Sequence, residues 1–362
     1  MFTGIWGIFI NSEGMSNKEK NLVIDKYQNY GKNAFYDAAK KKKILPFVAK
    51  ALFGLGLDTN FWGEILDDYR KRNEAILETL NEAYKSLKKQ GVKKMFVSEN
   101  FGALLSASAD IRLFASGDVD NYADPCEKEK IYRAFGEIGY TRQERYTGKH
   151  QIAAEFFPPK GKEGLPEGFY ISVDFYPLAR LKLPCFIEAD NFVDWENVSV
   201  FKDTAIVLPP PTALMYICLL HISLHSFSRA PDIRLYIDLL NMSKTDIDYK
   251  MIEKWCKRDH TCTRAATAAD ICNRLLRTDF PKTILGLSKR KERIEKIVLN
   301  TEAGDLNYEP RGLKVLRIEV SCDDFSDLHG VLSILHPDKE WMKKNYGGSG
   351  LIAHINHLMK VL

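Results

Sequence analysis

Apolar residues at 61, 62, 65, 66, 69, 76, 77, 80, 84 and 87 keep the three-and-four spacing of one helical face. This predicts the clearest helix of the chain, capped by Asn60 and stopped near Gly91. Residues 19 to 57 read as shorter helical pieces, with Pro46 suited to a first turn and Gly54 and Gly56 to an end. The pattern then shortens. Val92 to Ser98 predicts a strand, Phe101 to Ala109 a helix, and Ile111 to Asp120 the strand or strand end that carries the acid pair. A helix follows from Asp124-Pro125 to Gly139, and then strands over Tyr140–Tyr146, His150–Phe157 and Tyr170–Tyr176. Beyond residue 200 the helical period returns: from Pro211 through TALMYICLLHISLHSF, over Asp232–Met242, and from a cap at Thr245 or Asp246 through Cys256. Further helices are expected at 262–277, 290–299 and from about 349. The expectation is an α+β protein. A helical N-terminal segment (1–91) and a mainly helical C-terminal domain (201–362) flank a small mixed sheet with helices (92–200).

Composition adds exclusions. With 362 residues the chain suggests two or three lobes, and 45% apolar with 28% charged residues is the balance of a soluble globular protein. The 52 basic and 48 acidic side chains leave only +4, which argues against a long nucleic-acid partner. Seven cysteines form no CxxC pair and read as reduced thiols of a cytoplasmic protein. The opening MFTGIWGIFIN has no basic residue ahead of it and no small-residue cleavage site, so it reads as a docked segment. The most apolar window, Ala205 to Leu224, is interrupted by Pro209-Pro210-Pro211 and holds His221, so no membrane span is expected. The Lys40–Lys43 run reads as a solvated face.

The candidate chemistry lies in Ser116-Gly117-Asp118-Val119-Asp120. On a strand Asp118 and Asp120 share a face while Val119 points to the core. Two such carboxylates repel each other unless something positive sits between them, and a divalent cation is the usual solution. Gly117 would allow a tight turn or the close approach of a phosphate. Asp174, in Tyr170-Ile-Ser-Val-Asp, supplies a third acid for a two-metal phosphoryl-transfer site. The other Asp-x-Asp, Asp246-Ile-Asp248, reads as a helix cap and surface acid. His221 and His225 are four apart on one helical face, a spacing that suits a zinc site, a phosphate contact or a hydrogen-bonded core residue. Arg234 and Asp238 repeat that spacing and would make a helix ion pair.

Arg112, then Gly117-Asp118-x-Asp120, a helix ending in Gly139-Tyr140 and a later strand with Asp174 resemble the polymerase-β-like nucleotidyltransferase superfamily. More narrowly, with His221-x-x-x-His225, Arg234-Leu235-x-x-x-Asp238 and the ending LHPDKEWMKKNYG, the chain is similar to a bacterial family of largely uncharacterised nucleotidyltransferases. The resemblance implies transfer of a nucleoside monophosphate from a nucleoside triphosphate, ATP being the expected one, to a hydroxyl of a small molecule or protein, with release of pyrophosphate. It implies Mg²⁺, with Mn²⁺ as a substitute, on Asp118 and Asp120. Asp174 would complete a second metal site or take the proton of the attacking hydroxyl. Ser98, Arg112, Ser116, Gly117, His221 and Arg234 would contact the nucleotide. One departure stands out: Ser98-Glu99-Asn100 occupies the position where the family places a Lys-Gly or Gly-Ser phosphate cradle. That acid opens two alternatives, a catalytically eroded binding or scaffold protein of the same fold and an Asp-x-Asp glycosyltransferase.

Overall fold

The computed structural model describes residues 5–148, 151–175, 187, 189–224, 227, 232–288, 323, 335–337 and 339–361. Two apolar cores lie behind its elements, and neither follows the order of the chain. The first joins the N-terminal helices α1 (Trp6–Ile10), α2 (Asn17–Lys41) and α3 (Leu45–Gly54) to the later helices α7 (Pro211–Leu224), α8 (Asp232–Met242) and α10 (Cys262–Leu276). The opening segment is docked as expected, with Ile5, Trp6, Phe9 and Ile10 buried in this core. Ser16 starts α2 with a capping box, its hydroxyl and backbone exchanging hydrogen bonds with Glu19. Pro46 lies in the first turn of α3 and Gly54 is its last residue.

The long helix α4 (Thr59–Lys89) bridges the two cores: Trp62 and Leu66 belong to the first, Ile76, Leu80, Ala83 and Leu87 to the second. Its cap position is Asp58, not the expected Asn60. Asp58 caps nothing, because its carboxylate accepts from Tyr27 Oη at 2.5 Å, and Tyr27 in turn accepts from Trp62 Nε1 at 3.0 Å.

The second core lies under a five-stranded sheet in the order β1 (Met95–Val97), β2 (Asp118–Ala123), β5 (Tyr170–Asp174), β4 (Gln151–Phe157) and β3 (Thr141–Gly148). β2 and β5 run parallel and the other neighbours antiparallel, so the sheet is mixed and the class is α+β. Val97, Val119, Ile171, Val173 and Phe156 turn one face to the second half of α4 and to α6 (Lys128–Glu137). Between β1 and β2 comes α5 (Glu99–Ser106), which packs on α7 and α8 and contributes to both cores, with Ala103 in the first and Phe101 and Leu104 in the second.

Two further expectations need correction. Ile111–Asp120 is not a strand: residues 111–113 form a 3₁₀ turn capped by Asp110, and β2 begins at Asp118. Asn73 Nδ2 of α4 donates to the carbonyls of Ile111 (2.6 Å) and Phe114 (3.0 Å), so this loop's backbone is engaged by a helix and not by a ladder. Farther on, the helix α9 (Tyr249–Arg258) is capped by Asp248, whose Oδ1 accepts from the Met251 backbone at 3.0 Å, and not by Thr245 or Asp246. The helices α11 (Lys282–Leu285), α12 (Lys339–Tyr346) and α13 (Leu351–Val361) complete the described chain, and the expected helix at 290–299 lies outside it. No described helix is long and apolar enough to cross a membrane. Cys126, Cys218, Cys256, Cys262 and Cys272 carry free thiols, while Cys185 and Cys322 lie outside the described residues.

Candidate functional site

The sheet's other face is polar, and its register shows why. Asp120 pairs with Ser172 and Tyr122 with Asp174 across the parallel β2–β5 ladder, and Asp118 pairs with Tyr170. Paired residues share a face, so Asp118, Asp120 and Asp174 stand together opposite Val119 and Val173. Ser98 joins them: its backbone N–H donates to the Asp120 carbonyl at 2.9 Å, continuing the β1–β2 pairing by one residue. Glu155 of β4, 4% exposed, lies across from Ser172 on this same face.

The two acids of the pair have different surroundings. Asp118 accepts from Ser116 Oγ at one oxygen and from Tyr170 Oη at 3.1 Å at the other. Asp120 accepts from Asn100 Nδ2 at 3.1 Å. Burial pushes the Asp120 carboxyl well above the usual carboxylate range, and the charges of Asp118, Glu99 and Asp174 add to the effect, with Arg234 opposing it. Here the repulsion expected of the motif is present and only partly offset.

Arg234 on α8 reaches the site by an unexpected route. Its Nη1 donates to Ser116 Oγ at 2.8 Å, which links α8 through Ser116 to Asp118, and it makes no ion pair with Asp238. Ser116 is held from the far side too, since Arg72 of α4 donates to its carbonyl. Arg112 turns elsewhere: Asp110 takes its guanidinium through three hydrogen bonds of 2.7–3.1 Å. Gly117 has no left-handed φ, and a Cβ built there meets nothing within 4 Å. The turn therefore needs no glycine, and what Gly117 provides is open space before Asp118. The close approach belongs to Gly102, whose Cβ would stand 2.6 Å from the Val97 carbonyl oxygen.

Glu99, between Ser98 and Asn100 at the start of α5, is 4% exposed and has a left-handed φ of 41°. Side chains rarely hold that conformation unless their surroundings fix it. Here Tyr122 Oη donates to Glu99 Oε1, and His221 Nδ1 lies 2.8 Å from Oε2. Burial alone would lower the His221 pKa, but the Glu99 carboxylate beside it raises it above the ordinary 6.5. Glu99 thus faces a cation on α7 rather than open solvent. His225, its expected companion, lies outside the described residues. Asp238, one helical turn beyond Arg234, is 5% exposed, and burial pushes its carboxyl up to about 7, against the pull of His221 and Arg234.

Sequence reasoning passed over Asn100 and Tyr170 as partners of the pair. Tyr170 was legible in principle, since it occupies the strand position that alternates with Ser172 and Asp174. Asn100 was not, because its role depends on how α5 leaves β1.

Two features of the site suit a bound metal and phosphate. Among the described residues Ser98 Oγ and Arg234 Nε are buried without a hydrogen-bond partner, and the carboxylates around Asp120 outnumber the one cation that opposes them. Among the described residues no three His, Cys, Asp or Glu side chains form a group able to hold a metal ion alone. A cation held by Asp118 and Asp120 would therefore complete its shell with water and ligand oxygens, as Mg²⁺ commonly does. No protein-family model, curated protein or solved structure matches this chain.

Proposed function

We propose that the protein is a Mg²⁺-dependent nucleotidyltransferase that moves a nucleoside monophosphate from a nucleoside triphosphate to a hydroxyl of a small molecule or protein. The observation that carries the reading is the Asp118–Asp120 pair on one strand face, where the charge of Asp120 is opposed by three other carboxylates. In such a transfer the acceptor oxygen bonds to the α-phosphorus as the bond to the bridging oxygen breaks, and pyrophosphate leaves. Mg²⁺ would supply the charge neutralisation that the developing transition state needs. Asp118 and Asp120 hold and orient it, and the Ser116–Tyr170 clamp fixes Asp118. Ser98 Oγ and Arg234 offer donors to phosphate oxygens. Asp174 takes the proton of the attacking hydroxyl, since with Asp118 and Asp120 it forms no group able to hold a metal ion. His221 keeps the Glu99 charge from facing a triphosphate unopposed.

A second reading, a scaffold of the same fold with an eroded donor site, is favoured by Glu99 at the cradle position. The glycosyltransferase alternative requires a larger sheet ahead of the pair, whereas among the described residues only β1 precedes β2. Calorimetric and thermal-shift titrations with the four common nucleoside triphosphates, with and without Mg²⁺, test the proposal on the wild type and Asp118→Asn. Metal-dependent binding that the substitution abolishes is expected, because a ligand of the folded state raises its stability. Absence of binding by every triphosphate would leave the scaffold reading.

A further inference from the structure

Glu99 is the first residue of α5 and stands between two groups of the site: Ser98 before it continues the β1–β2 pairing, and Asn100 after it donates to Asp120. Its φ of 41° lies where a side chain crowds the backbone, so a residue other than glycine stays there only when its surroundings hold it. Its carboxylate is unfavourable as well, because its charge adds to those that oppose ionisation of Asp120. Neither backbone comfort nor local charge accounts for an acid at this position.

What holds Glu99 comes from two elements. Tyr122 Oη on β2 donates to Oε1, and His221 Nδ1 on α7 lies 2.8 Å from Oε2, so both carboxylate oxygens are taken. Against the effect of burial, Glu99 and Asp238 draw His221 toward its charged form, with Arg234 opposing them. The start of α5 is also close to β1, since at Gly102 a methyl group would stand 2.6 Å from the Val97 carbonyl oxygen. The consequence falls on the next residue. The torsion of Glu99 sets the direction in which Asn100 leaves the chain, and Asn100 Nδ2 reaches Asp120 Oδ2 at 3.1 Å. Among the described residues this is the one hydrogen bond that the Asp120 carboxylate accepts. A bond of that kind favours the charged form of the acid and fixes its orientation, both of which a metal ligand needs.

We propose that Glu99 and His221 are positioning residues: Tyr122 and His221 clamp Glu99 in its left-handed conformation, and that conformation sets Asn100 on Asp120. The effect on metal binding rests on the transfer reading above, whereas the placement of Asn100 does not.

The test compares two variants of equal charge. Glu99→Ala and Glu99→Gly both remove the carboxylate, but only glycine holds a left-handed φ without a clamp. NMR of the full chain labelled at asparagine nitrogens, without metal, follows the Asn100 carboxamide protons, assigned by their loss in Asn100→Ala. In the wild type and Glu99→Gly these protons should be protected from solvent exchange, and in Glu99→Ala they should exchange at least about fivefold faster. Tyr122→Phe and His221→Leu, which each remove one side of the clamp, should shift them in the same direction as Glu99→Ala. Titration with Mg²⁺ alone should show binding at least about fivefold weaker in Glu99→Ala than in Glu99→Gly. His221→Leu should weaken Mg²⁺ too, although the loss of a nearby positive charge would by itself strengthen it. Equal exchange in the two Glu99 variants, or Asn100 protons unmoved by both Tyr122→Phe and His221→Leu, would overturn the clamp. If Mg²⁺ binding were lost in Asp118→Asn but equal in the two Glu99 variants, the clamp would fall and the metal site would stand. Asn100 exchange that separates the two Glu99 variants, with no binding of Mg²⁺ by the wild type, would support the clamp and remove the transfer reading.

Discussion

Asp120 carries a conflict between stability and function that one substitution separates. A carboxyl whose folded pKa lies above its unfolded value favours the fold while protonated; that contribution is full below about pH 4 and is lost as pH rises through the folded pKa. Asp120→Asn removes the charge and keeps an oxygen for Asn100, so its melting temperature should exceed the wild type's at pH 8, the gap closing toward pH 4. Nucleotidyl transfer should fall by about a hundredfold or more, and Mg²⁺ should stabilise the wild type but not the variant. A melting temperature at or below the wild type's at pH 8 would contradict the electrostatic picture of the pair. His221 follows the same pH direction, but through its charged form rather than a neutral one. The raised His221 pKa contributes stability that is fully present below 6.5 and lost as pH climbs through the folded value. Replacing His221 by Gln should cost on the order of 3 kcal/mol near pH 6 and clearly less near pH 9; a penalty independent of pH would mean the contact is not ionic. At this scale the sequence was legible where periodicity sufficed: alternation places Asp118 and Asp120 on one face, whereas only the β2–β5 register brings Asp174 to it. It was not legible where a partner is distant. Arg234 meets Ser116 across 118 residues, and Arg112 has a carboxylate two residues away that takes it first.

Among the elements, α5 does most to shape the site. Packed on β2, α7 and α8, it supplies Glu99, Asn100 and a close backbone approach at Gly102. Alanine in a helix is normally favoured over glycine by about 1 kcal/mol. Here its methyl would lie 2.6 Å from the Val97 carbonyl oxygen, which a shift of α5 must relieve. Gly102→Ala should therefore destabilise, by roughly 1 to 3 kcal/mol in denaturant unfolding, and weaken ligand binding through the displaced Asn100. A neutral or stabilised variant would show that α5 can move freely. Helices such as α3 and α4 were readable from spacing and from Pro46, because an amphipathic face is a local property. The start of β2 was not. Ile111, Leu113 and Phe114 imitate a strand's apolar content, and only Asn73 and Arg72, on a helix some forty residues earlier, show that their carbonyls are already bonded.

In the whole molecule, the candidate site lies where the two cores meet. Phe96 and Tyr122 belong to the sheet yet pack in the helical core, Val207 lines both, and α5 contacts α7 and α8 as well as β2. Elements that share buried side chains this way cannot lose one core without exposing part of the other. The helical core moreover joins helices before the sheet, from Ile5 to Leu66, to helices after it, as far as Ile284. The protein should therefore unfold in one cooperative transition, with calorimetric and van't Hoff enthalpies in agreement, and a ligand at the acid pair should protect amides of β2, α5 and α8 together in hydrogen exchange. Two resolved transitions, with ligand raising only the one that reports the sheet, would mean that the sheet layer binds by itself and that Arg234 and His221 adjoin the site without shaping it. One transition that shifts as a whole would mean that the helical layer completes the site, through the same contacts by which Arg234 steadies Ser116 and His221 neutralises Glu99.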